Sequence, residues 1–183
     1  TLAHSTAEFM LRYYLERNAT TVPTFEELQA QLQKEGPIEI MNIVLACTDE
    51  GLDFWEMAET VHEGYVRIVY EDYLTAKQED PDALLLVEQK LKLSEYVPEG
   101  FGSSDSVLIW KKTCKVNDLK YGKGVKVDAN QNSQMMCYGL GALYGPGEPY
   151  LVNTVVMTII QPRLRHISVF SLPTPSLVNW GYS

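Results

Sequence analysis

With 183 residues, 45% hydrophobic and 21% charged, the chain suits one globular domain with a real core. No apolar run approaches a membrane span and no secretory signal is visible, so a cytoplasmic protein without membrane contact is expected. Cys47, Cys114 and Cys137 are widely spaced and form no C-x-x-C pair, which suits reduced thiols and excludes a disulfide framework or zinc site.

The net charge of −9 argues at first sight against a nucleic-acid partner. The halves differ, however. Residues 1–90 hold 6 Lys/Arg and 18 Asp/Glu, a balance of −12, while residues 91–183 hold 9 and 6, a balance of +3. Lys111, Lys112, Lys115, Lys120, Lys123 and Lys126 stand close together against Asp118 alone. Two readings stay open: a basic strip that binds phosphate, or a solvated hairpin edge whose lysines block aggregation.

Thr1 opens the chain in place of Met, as expected of a processed or trimmed piece. Thr1 to Arg17 reads as a helix, with Leu2, Phe9, Met10, Tyr13 and Tyr14 at near-helical spacing and His4 in the first turn. Thr24 with Glu27 makes a capping box for a short helix to about Lys34, broken by Gly36-Pro37. Pro37 to Cys47 is apolar without a clear period and fits helix or strand. Thr48 or Asp49 is expected to cap one long helix to about Gln78, with a core stripe of Phe54, Met57, Ala58, Val61, Tyr65, Ile68 and Val69. Glu50, Asp53, Glu56, Glu59 and Glu63 lie largely off that stripe. They read as a solvated face turned away from any anionic substrate, with a partner-binding or DNA-mimicking surface as the rival reading.

Ala83 to Leu93 reads as the first strand, and Tyr96 to Gly102 as a loop. Val107 to Trp110 is a short apolar strand, Lys111-Lys112-Thr113 a polar turn, and Cys114 to Lys120 the returning strand. Folding about that turn brings Asp105 beside Leu119, within a residue of Asp118, with Lys120 on the face of Asp118. Two carboxylates converging at one end of a hairpin suit a divalent cation such as magnesium. Glu88-Gln89-Lys90, preceded by Pro81-Asp82, offers a second Glu-x-Lys. Along one strand Asp82 and Glu88 sit roughly 20 Å apart, too far to share a metal.

Gly122-Lys123-Gly124 lacks the spacing of a phosphate-binding loop, so no nucleotide cofactor is expected. Asn130 to Tyr144 is the next helix, with Gln134 and Tyr138 on one face and Gly139 and Gly141 explained by close packing on a sheet. Gly145-Pro146-Gly147 ends it. Val152 to Gln161 and Ile167 to Leu172 read as strands joined by Pro162 to His166, and Pro173 and Pro175 open a final segment.

Gly102-Ser103-Ser104-Asp105, Asp118-Leu119-Lys120, Gln134-Met135-Met136-Cys137-Tyr138 and His4 together resemble the PD-(D/E)XK nucleases, in the RecB-like exonuclease branch and its phage-encoded relatives. Asp-x-Lys alone carries little, since about one chance match is expected in a chain this long. The order of four elements carries the resemblance, which spans nearly the whole chain. It implies an α/β fold with a restriction-endonuclease-like αβββαβ core, a central mixed sheet flanked by helices. The helical insert would cover about 20–80, and the sheet and site about 83–172, in a single domain.

The resemblance further implies a metal-dependent DNA nuclease, an exonuclease by preference. Asp105, Asp118 and the main-chain carbonyl of Leu119 would hold Mg2+ or Mn2+, with His4 and Glu88 nearby; a cross-strand partner for lysine is the other reading of Glu88. Lys120 would orient the attacking water or stabilise the transition state, Gln134 and Tyr138 would position the scissile strand, and Lys123 and Lys126 would contact phosphates. Some relatives carry an iron–sulfur cluster on four cysteines, a set three scattered cysteines cannot supply. Phage relatives suggest end processing for recombination or replication in a bacterial host cell, beside a single-strand annealing protein. In them the chain continues past this one's end. The rivals are a non-catalytic module on the same fold that binds DNA ends or a protein, and an acidic interaction domain.

Overall fold

In a computed structural model, which describes residues 1–92 and 101–183, the chain is α/β: a five-stranded mixed sheet flanked by helices on both faces. The elements are α1 (Leu2–Glu16), α2 (Phe25–Glu35), α3 (Ile38–Asp49), α4 (Phe54–Val61), α5 (Arg67–Glu79), β1 (Leu84–Lys92), β2 (Phe101–Trp110), β3 (Thr113–Leu119), α6 (Ser133–Tyr144), β4 (Thr154–Gln161), β5 (His166–Pro173) and α7 (Thr174–Gly181). The strands lie in the order β1-β2-β3-β4-β5, antiparallel except for the β3–β4 pair, which α6 connects. Among the described residues no helix is long and apolar enough to cross a membrane.

Strand alternation divides the core in two. Leu85, Leu108, Leu119 and Ile160 pack under α1–α5, and Val107, Ile109, Cys114, Val116, Val155, Met157 and Ile159 pack under α6 and α7. Gly139 lets α6 approach the sheet closely, since a Cβ there would stand 3.1 Å from Val155 Cγ1.

In the helical half, Thr24 caps α2 as expected, its hydroxyl accepting from Glu27 N–H. The undecided segment after Gly36 is α3, buried through Ile40, Ile43 and Cys47. Its other face carries exposed Ile38, Met41 and Leu45, which blurs the helical period. Thr48 and Asp49 belong to the last turn of α3, so the expected cap is corrected to Asp53, which accepts from Glu56 N–H.

The single long helix expected after it is α4 and α5 joined by a π-helical turn, His62–Val66. That turn meets the β4–β5 connection at Gly64, where a Cβ would stand 2.5 Å from Pro162 Cβ. The expected stripe is buried there, apart from half-buried Ile68, and the five acidic residues are exposed.

The hairpin register differs from the expected one by a residue. Trp110 pairs with Thr113, so the turn is Lys111-Lys112 alone, both at positive φ (40° and 60°) as in a type I′ turn. Asp105 therefore stands opposite Asp118, not Leu119. β2 begins at Phe101, so the end of the expected loop is strand; its residues 96–100 lie outside the described residues. The final segment forms α7, with Pro175 in its first turn, where a missing N–H costs nothing.

Candidate functional site

The pairing registers lay three acids in one row. Val87 pairs with Ser106 and Gln89 with Ser104, which sets Glu88 level with Asp105; Ser106 pairs with Asn117, which sets Asp105 level with Asp118. All three alternate with residues that pack under α6, so the row lies on the α6 face of β1, β2 and β3. The β1–β2 ladder skips this level, and the β2–β3 ladder ends one step before it. Glu88 takes φ 51°, a conformation costly for a side-chain-bearing strand residue.

Burial pushes the Asp105 carboxyl up to about 7. A 2.6 Å hydrogen bond from Leu119 N–H opposes that rise, and the Asp118 and Glu88 charges add to it. Lys120 Nζ lies 2.9 Å from Asp118 Oδ2 but outside hydrogen-bonding geometry, so this buried oxygen has no hydrogen-bond donor. Lys120 also donates to Gln134 Oε1 at 3.4 Å, and Gln134 Nε2 donates to Tyr138 OH at 3.1 Å. The α6 pair thus holds the lysine from above, and burial raises the Tyr138 phenol.

His4, from the first turn of α1, reaches the same place. Its Nε2 donates to Leu119 O at 2.7 Å and stands 3.7 Å from Asp105 Oδ2. The carbonyl can only accept, so Nε2 carries a proton, and Nδ1 stands 2.6 Å from Thr1 Oγ1. His4 thus braces the carbonyl. Among the described residues no three His, Cys, Asp or Glu side chains converge as a metal cage. The residues nonetheless suit a cation: an orphaned buried carboxylate oxygen faces a second carboxylate beside a main-chain carbonyl.

A cavity of about 680 Å³ opens at the Asp118 end of the row, lined by Thr1, His4, Asp118, Lys120 and Tyr121 together with Glu50 and Leu52. Of the acidic run, Glu50 lines this cavity. A second cavity of about 530 Å³ between α1, α2 and α3 holds no part of the row. Arg12 and Arg17 in its lining are paired with Glu8 and Glu35.

The six-lysine strip is divided by the fold. Lys111 and Lys112 occupy the turn at the far end of β3, and Lys115 pairs with Asp72 at 2.7 Å. Only Lys120, Lys123 and Lys126 lie at or just beyond the end of β3 that carries Asp118. Sequence reasoning passed over Arg163 and Arg165. Parallel pairing of Leu119 with Ile160 brings their turn to the same end, a placement that local sequence does not signal. Over residues 1–183 the chain matches a family described as "Protein of unknown function (DUF2800)", and it belongs to that family.

Proposed function

We propose that the chain is a divalent-metal-dependent nuclease of the PD-(D/E)XK kind, RecB-like, that hydrolyses DNA phosphodiester bonds. The observation that carries this reading is the level row Glu88, Asp105 and Asp118, with Lys120 beside an orphaned Asp118 oxygen. The order of helix, three strands, helix and strand, with α2–α5 added before the sheet, supports a restriction-endonuclease-like core.

Asp105, Asp118 and the Leu119 carbonyl would hold Mg2+ or Mn2+, with Glu88 next in the row. His4 could join only by giving up its bond to Leu119 O. When bound, the ion supplies Lewis acidity that lowers the pKa of a water and neutralises charge on the phosphate. Lys120, held by Gln134 and Tyr138, orients the attacking water or stabilises charge in the transition state. Lys123 and Lys126 contact neighbouring phosphates. An exonuclease of phage or prophage type, working on DNA ends in a bacterial cytoplasm beside an annealing protein, is the setting the resemblance favours.

The bond from His4 to Leu119 O favours a second reading, a non-catalytic module that binds DNA ends or a protein. Cleavage of end-labelled linear and covalently closed DNA, single- and double-stranded, with Mg2+ or Mn2+, separates the two. Metal-dependent cutting supports the nuclease, and sparing of closed circles makes it end-dependent. Tight binding without cutting supports the module.

A further inference from the structure

We propose that Arg163 and Arg165, on the turn between β4 and β5, bind the phosphates of a single polynucleotide strand beside the carboxylate row. The proposal deepens the nuclease reading and rests on it for the identity of the anion.

Topology places the arginines. β3 and β4 run parallel, and Lys120 N–H donates to Ile160 O at 2.9 Å, so the chain leaves both strands at one end. There the Arg163 guanidinium lies 4.9 Å from the centre of the Tyr121 ring. This cation–π contact, with a ring that lines the cavity beside Asp118 and Lys120, tethers the exposed guanidinium where its N–H groups can meet an anion.

Charge pairing sets these two apart from the other arginines. Arg12, Arg17 and Arg67 are bound to Glu8, Glu35, Glu63 and Glu71. Arg163 and Arg165 are exposed, and among the described residues neither has a carboxylate at ion-pair distance. Arg165 keeps its side chain at φ 48°, where glycine would relieve the backbone.

A second loop completes the arc. Gln161 accepts from Val127 N–H at 2.7 Å and donates to Val125 O at 3.2 Å, and His166 Nε2 donates to Val127 O at 3.0 Å. These bonds staple the segment carrying Lys123 and Lys126 against β4 and β5. Neither lysine has a carboxylate partner among the described residues. Free cations thus collect on the β4–β5 side of Tyr121, while Glu50 lines the cavity and Glu56 acts on Tyr121 from the helical side. A polyanion is driven toward the β4–β5 turn. The neighbouring cavity of about 680 Å³ has room for a ligand-sized piece of one strand.

The test is binding of a labelled oligothymidylate to the full chain in EDTA, followed by fluorescence anisotropy over a salt series. Arg163→Gln with Arg165→Gly should weaken binding roughly tenfold or more and flatten the salt slope by about 1.4, two contacts at about 0.7 each. Arg165→Gly alone should weaken binding without lowering the melting temperature, which separates lost contact from lost fold. Lys111→Gln with Lys112→Gln, at the far end of β3, should change neither quantity appreciably. Equal losses in the two double variants, or none in the arginine pair, would overturn the proposal. So would displacement of the oligonucleotide by polyglutamate at equal charge concentration, which points to an acidic protein partner. Arginine-dependent binding by a chain that cuts nothing with Mg2+ or Mn2+ supports the arc and sinks the nuclease reading. Cutting that survives the arginine changes with unaltered binding does the reverse.

Discussion

Asp105 and Asp118 face each other one step beyond Ser106 and Asn117, the last ladder pair of β2 and β3, and the Asp105 carboxylate accepts a 2.6 Å hydrogen bond from Leu119 N–H. Like charges so placed repel: the Asp118 charge raises Asp105 even with the Lys120 ammonium 2.9 Å from Asp118.

Replacing one acid should therefore stabilise the metal-free protein. Asp118→Asn keeps the shape and removes the buried charge that lacks a hydrogen-bond donor. In EDTA its melting temperature should rise by about 2–4 °C, the shift expected for roughly 1 kcal/mol in a chain of this size. Added Mn2+ should raise the melting temperature of wild type and leave the variant unmoved. A variant stabilised by Mn2+ as much as wild type would place the ion elsewhere.

The same row gives a pH dependence with a definite sign. Burial, against the Leu119 bond and with the Asp118 and Glu88 charges, lifts Asp105 from 3.8 to about 7. Between those values the folded protein keeps a proton that the unfolded chain has lost. Stability from this group is full below the unfolded pKa and is lost as pH rises through about 7. Buried His62, whose pKa burial lowers, acts oppositely as pH falls below its ordinary 6.5. Comparing wild type with Asp105→Asn in EDTA cancels the histidine. The stability difference should change from about pH 5 to about pH 8, to the disadvantage of wild type at the alkaline end; a flat difference counts against the raised pKa.

Lys111 and Lys112 hold positive φ at a turn that favours Asn-Gly. Lys111→Asn with Lys112→Gly should stabilise the chain by about 1–2 kcal/mol, seen as a higher urea midpoint at unchanged slope. Nucleic-acid binding should persist, because this turn is remote from Asp118. Loss of binding would restore the undivided basic strip.

Gly64 ties the π turn to the connection that carries Arg163. Gly64→Ala drives a Cβ to 2.5 Å from Pro162 Cβ and should cost about 1–3 kcal/mol by overpacking. Thermal melts should show the loss, and oligonucleotide binding should weaken with it. An unchanged melting temperature would mean that the connection yields freely, and that it does not hold the arginines rigidly.

Motif positions and strong local signals were legible in the sequence. The Thr24–Glu27 capping box, the helix bearing Gln134 and Tyr138, and the strand carrying Glu88 follow from spacing and residue type. What escaped depends on contacts between distant segments. The one-residue register error arose because lysines occupy a turn usually marked by Asn or Gly. The π turn answers to Pro162, nearly a hundred residues on. The division of the lysines required knowing that Lys115 meets Asp72 on α5 and that β4 runs parallel to β3. α3 stayed ambiguous because apolar residues occupy both its faces.

The most direct measurement is the rate of metal-dependent cleavage of linear DNA by wild type and Lys120→Ala, with calorimetry showing that both still bind Mn2+. On the nuclease reading wild type should cut, and the variant should lose about 10²–10³ in rate, because the ammonium 2.9 Å from Asp118 would act in the chemical step. Undiminished cleavage by the variant, or an inert wild type under either metal with every DNA form, would contradict a hydrolytic centre at this row.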